Sequence, residues 1–91
     1  MTREKALEVV AKYREMFTVD LFAEKRYASS ADYPEELHKK FSHCSAMLDD
    51  IEQFLREGKI EKAMRWLGFI QGVLWASGIF SIDELREHNR S

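Results

Sequence analysis

Residues 65–78 read RWLGFIQGVLWASG, and the environment that suits them decides the fold. From Trp66 to Phe80 the chain carries no charge, yet Gly68, Gly72 and Gly78 punctuate the run and Gln71 lies near its centre. A membrane-spanning helix needs about 20 consecutive, mostly apolar residues. This run is shorter, follows directly on Glu61, Lys62 and Arg65, and leads into a polar C-terminal segment. It reads as a helix of a small bundle, not as a membrane span.

At about 100° per residue, Ala63, Leu67, Ile70 and Leu74 fall on one helical face. Ile60 and Met64 widen that face on one flank, and Trp66 and Val73 widen it on the other. The opposite side carries Glu61, Lys62 and Arg65 in the first half of the helix, but Gly68, Phe69, Gly72 and Ala76 in the second. The helix thus has an apolar core face and an outer face whose polarity gives out midway. Gly68, Gly72 and Ala76 recur every four residues, a spacing that predicts a groove open to another backbone. An interior glycine costs a helix about 0.8–1 kcal/mol relative to alanine, so two of them call for a packing partner. That partner is either the first helix or residues 18–33 of the same chain, or a second molecule. In the second case Gly68, Phe69, Gly72, Trp75 and Ala76 form the contact surface.

Working outward, Gly58 and Gly78 have the positions of C′ residues closing two helices. The tight Gly58-Lys59 connection makes helices 34–57 and 60–77 an antiparallel hairpin. The earlier of these carries an apolar stripe in steps of three and four: Leu37, Phe41, Cys44, Met47/Leu48, Ile51 and Phe54/Leu55. Pro34 suits its first helical turn, with Asp32 or Tyr33 as N-cap. Upstream, Thr2 can cap a helix over 3–17 whose apolar positions are Leu7, Val10, Tyr13 and Phe17, with Ala6 and Val9 beside them. Downstream, Ser81 and Glu84 form a capping box, and Phe80 and Leu85 a hydrophobic staple, for a short helix over 82–88. Residues 18–33 read as a loop or short helix. The expectation is one all-α domain over 1–91, a bundle of three to four helices built on the hairpin.

Composition narrows the function classes. With 45% hydrophobic and 33% charged residues the chain is an ordinary globular one, and a net charge of −2 gives no electrostatic reason to expect nucleic acid or an anionic membrane. Cys44 is the only cysteine, so no internal disulfide can form, which points to the cytoplasm. MTREKALEVV begins charged and lacks the apolar run of a signal peptide.

The residues offer little catalytic chemistry. His38 and His43, with Cys44, are spaced five and six apart, so the histidines diverge around a helix instead of sharing a face as metal ligands at i, i+4 do. They read as exposed histidines beside a core thiol, and His88 as a solvated residue near the C-terminus. Asp49, Asp50, Glu52, Glu57 and Glu61 read as a solvated face, without the Glu-x-x-His repeats of a carboxylate-bridged metal centre. Gly68-x-x-x-Gly72 lies inside a helix, where its amides are already bonded and cannot cradle a phosphate. No metal, cofactor or catalytic residue is expected. The basic residues Lys25 and Arg26 with Tyr27, and Lys39 and Lys40 with Phe41, could converge on an anion or nucleotide if residues 18–33 fold back over the hairpin.

Residues 43–90 resemble a group of small uncharacterised helical proteins of tailed phages and prophages. The resemblance is carried by His43-Cys44, by FLREGKIEKAMRWLGFIQGVLW from Phe54, and by SIDELREHNR from Ser81. It implies no catalytic residues. It implies an accessory protein of host takeover or anti-defence, acting on a host or phage protein in the cytoplasm of the infected or lysogenic cell. The chain is therefore expected to be a non-enzymatic protein–protein interaction module and a homodimer. The alternative is a small anionic-ligand or nucleotide binder using Lys25, Arg26, Lys39 and Lys40.

Overall fold

In the computed structural model, which describes residues 1–18 and 34–90, the chain is an all-α bundle of four helices with no strand among the described residues. They are α1 (Arg3–Thr18), α2 (Glu35–Arg56), α3 (Ile60–Ala76) and α4 (Ile82–Asn89). None is long and apolar enough to cross a membrane. Of the segment 18–33 expected to be a loop or short helix, Thr18 belongs to α1, and residues 19–33, with Lys25 and Arg26, lie outside the described residues.

The helix ends follow from local chemistry. The Thr2 hydroxyl accepts from the Lys5 amide at 3.0 Å, capping α1. Helix α2 ends in a Schellman motif, with the Lys59 amide on the Phe54 carbonyl at 2.8 Å and the Gly58 amide on the Leu55 carbonyl at 3.2 Å. Helix α3 ends the same way, Ile79 reaching Leu74 at 2.9 Å and Gly78 reaching Trp75 at 3.0 Å. Both motifs need a left-handed residue, and Gly58 and Gly78 supply φ of 80° and 74°. Ser81 and Glu84 complete a reciprocal capping box at 3.1 and 2.9 Å that starts α4. One expected cap differs. Pro34 itself is the N-cap of α2, with extended backbone at ψ 143°, and not a residue of the first turn preceded by an Asp32 or Tyr33 cap. Its fixed φ suits either place, so proline alone leaves the helix start open by one residue.

The core lies where the three long helices meet. On α2 it takes Leu37, Phe41, Cys44, Leu48, Ile51 and Leu55, and on α3 Ala63, Leu67, Ile70 and Leu74, as the periodicity requires. On α1 the buried stripe is Ala6, Val9, Val10 and Tyr13, while the expected Leu7 and Phe17 lie half-buried at its edges. Phe80 and Leu85, flanking the α4 cap, both enter the core. Arg14 ties α1 to α2 through Asp49 at 2.9 Å and Glu52 at 3.4 Å. Two members of the acidic cluster are thereby engaged in joining helices.

The α4 end is closed by a polar clasp. Tyr13, fully buried, places its hydroxyl 2.7 Å from His88 Nδ1 and accepts from the Gln71 amide at 3.2 Å. Gln71 and Asn89 pair through both amides, at 2.7 and 3.0 Å. The His88 ring meets Phe80 edge-on at 4.5 Å between centroids and Tyr13 at 5.6 Å. His88 is thus half-buried and bonded, correcting the expectation that it is solvated. Gln71, which in the sequence only interrupts an apolar run, is buried on the core side of α3 because α1 and α4 meet its hydrogen-bonding needs there.

A furrow along the helical hairpin as candidate functional site

The side of the α2–α3 hairpin remote from the clasp is open. Phe69 and Trp75 each remain 53% exposed, an unusual degree for aromatic side chains of this size. Gly68, Gly72 and Ala76 are exposed as well, and a Cβ built on either Gly68 or Gly72 meets no atom within 4 Å. Helix α1 lies elsewhere, its buried stripe in the core with Tyr13 against Gln71. Of the coverings expected for this groove, the first helix is therefore corrected, while residues 19–33 lie outside the described residues. The apolar residues of α1 are used up on the other side of the hairpin.

The concave feature lies beside the glycines, between the two helices. Its larger depression, about 510 Å³, is walled by Met47 and Asp50 on α2 and by Arg65, Trp66 and Phe69 on α3. A second one of about 260 Å³ continues it past Cys44, Phe69 and Val73. His43, exposed on α2, stands edge-on to the Phe69 ring at 6.2 Å and separates the two. Toward the Gly58 turn Trp66 packs edge-on against Phe54 at 4.9 Å, and the Lys62 ammonium lies 4.5 Å over Phe54. This end of the furrow is therefore braced.

The five residues expected as a contact surface are all exposed on α3, and those that border hollows border different ones. Phe69 lines the furrow, while Trp75 and Ala76 border a separate depression of about 380 Å³ beside Pro34, Leu37 and Gly78. Six residues separate Phe69 from Trp75, which is about 9 Å along the axis and a third of a turn apart around it. Gly68 and Gly72 face outward between them. Missed by the sequence reading were Ala46, Met47 and Asp50, which form the α2 wall. A signal for them existed in the antiparallel hairpin. Counting equal distances either side of Gly58 opposes Asp50 to Trp66, Met47 to Phe69 and His43 to Val73.

Of the four basic residues, Lys25 and Arg26 lie outside the described residues, and Lys39 and Lys40 both border the smaller depression, beside Glu36. Lys39 pairs with Glu35 at 3.8 Å and Lys40 with Glu36 at 3.6 Å, both exposed i,i+4 contacts on one helix. Such pairs are weak, but they offset the charge an anion would need. Among the described residues no three His, Cys, Asp or Glu side chains converge as a metal site would need. Burial pushes the Cys44 thiol up to about 11, so at neutral pH it is a protonated core residue and not a nucleophile. No protein-family model, curated protein or solved structure matches the chain.

Proposed function

We propose that the chain is a non-enzymatic protein–protein interaction module that works through the outer face of the α2–α3 hairpin. The observation that carries this reading is the exposure of Phe69 beside an apolar furrow whose walls are held rigid by a packed core. Aromatic side chains presented on rigid elements bind with little loss of conformational entropy, which is why they recur as anchors at interfaces. The resemblance of residues 43–90 to proteins of tailed phages and prophages supports seeking the partner among host or phage proteins, in host takeover or anti-defence.

The test is affinity capture with two matched baits, the natural chain and Phe69→Ser. A bound protein, a second copy of the chain included, is expected on the first bait and lost from the second. Equal capture by both baits, with both folded by circular dichroism, sinks the reading.

A further inference from the structure

The furrow carries a charge pattern that says what fits it. Asp50 on the α2 wall and Arg65 on the α3 wall border the same depression, and both are exposed. Among the described residues neither is held in an ion pair, whereas Lys39, Lys40 and Arg56 on the same hairpin each pair with a glutamate. The two unpaired charges are of opposite sign and stand on opposite walls at nearly matched distances from the Gly58 turn. Trp66 stands level with them, and Met47 and Phe69 continue the apolar floor one turn farther from Gly58.

Such a patch is complementary to itself. A two-fold axis running along the furrow exchanges the walls, so that α2 of one copy lies over α3 of the other. Asp50 then faces the partner subunit's Arg65 and Arg65 faces the partner subunit's Asp50, one pair on each side of the apolar strip. Because α2 and α3 are antiparallel within the chain, every helix of the resulting four-helix layer also runs antiparallel to the one it covers. That is the arrangement favoured in four-helix bundles, and it opposes the helix dipoles. A two-fold axis across the furrow would instead stack α2 on α2 and leave these charges without opposite partners. An isologous contact of this kind closes at two subunits.

We propose that a second copy of this chain docks on the furrow about the lengthwise two-fold axis, with two reciprocal Asp50–Arg65 ion pairs flanking the apolar strip of Trp66, Met47 and Phe69. This rests on reading the hairpin face as a contact surface and names its occupant.

The experiment is sedimentation velocity over a range of concentrations on the natural chain, Asp50→Arg, Arg65→Asp and the double reversal. Symmetry makes each single reversal place two like-charged contacts in the dimer, so the dissociation constant should rise by at least about tenfold. The double reversal restores opposite charges and should recover the natural affinity. Both positions are exposed, so circular dichroism should show all four chains equally folded. A natural chain that stays monomeric throughout overturns the proposal, as does a double reversal no tighter than the singles. If the chain is monomeric yet still captures a protein lost on Phe69→Ser, the dimer falls and the interaction reading stands. If neither dimer nor Phe69-dependent capture is found, both fall.

Discussion

Gln71 and Gly72 are adjacent in sequence and opposite in circumstance. Gln71, a polar amide, is buried with its hydrogen bonds met by Tyr13 and Asn89. Gly72 begins the outward face, where the neighbouring large side chains are apolar and half exposed. Helix α3 thus carries polarity inside and aromatic surface outside over its second half. The difference teaches that burial follows satisfied bonding and available partners, not residue type. The inner face is closed by groups from three helices, while the outer face lacks an equivalent among the described residues.

The largest test of this contrast is alkaline pH, which reaches the buried Tyr13 and Cys44. Burial pushes Tyr13 up to about 12 from 10.0, the Gln71 hydrogen bond opposing only part of the effect, and pushes Cys44 up to about 11 from 9.0. Both groups hold their protons more tightly folded than unfolded. Their contribution is intact below the unfolded values and is lost as pH rises through the folded ones. Stability should therefore fall from about pH 9 upward, by an amount on the order of 2 kcal/mol for each group. Urea denaturation from neutral pH to about pH 11 measures the loss. Tyr13→Phe should flatten the upper part of the profile, and an unchanged profile would break the claim that its hydroxyl is sealed in.

A smaller effect is expected from Gln71→Ala. It strands the Asn89 amide and withdraws a donor from Tyr13, and should cost about 1–3 kcal/mol. The loss should concentrate in α4, so amide exchange over residues 82–89 should accelerate more than exchange in α2. Uniform acceleration would mean that the clasp is not what holds α4.

The smallest effect has the opposite sign. Space around the Gly72 Cβ position is open, so Gly72→Ala should stabilise the isolated chain by about 0.8–1 kcal/mol through helix propensity. Thermal melting at concentrations where the chain is monomeric checks it. A destabilised variant would mean that the outer face of α3 is covered after all.

Most of the architecture was legible because it is local. Gly58, Gly78, Ser81 and Glu84 act over five residues or fewer, and the Leu37–Leu55 stripe is a matter of period. The clasp was illegible for the opposite reason. Tyr13 lies 58 residues from Gln71 and 75 from His88, and no pattern along the chain announces such a meeting. The same blindness led His88 to be read as solvated and left the α1 helix among the possible coverings of the glycine groove. Of the candidate site, Phe69 and the open glycines were visible from the outer side of one helix. The α2 wall was not, because a furrow belongs to two helices and its residues become neighbours only once the hairpin's register is applied.

The clasp also orders events in time. The hairpin closes through contacts between residues near each other in the chain, so it can form early. Tyr13 belongs to a helix made before the hairpin, yet its hydrogen-bonding partners are Gln71 and His88. During synthesis, α1 must wait for nearly all of the described chain to emerge before its tyrosine hydroxyl can find them. A nascent chain stopped before α4 would present the hairpin without that seal. Helix α1 can settle on α2 early, but its tyrosine hydroxyl is sealed last.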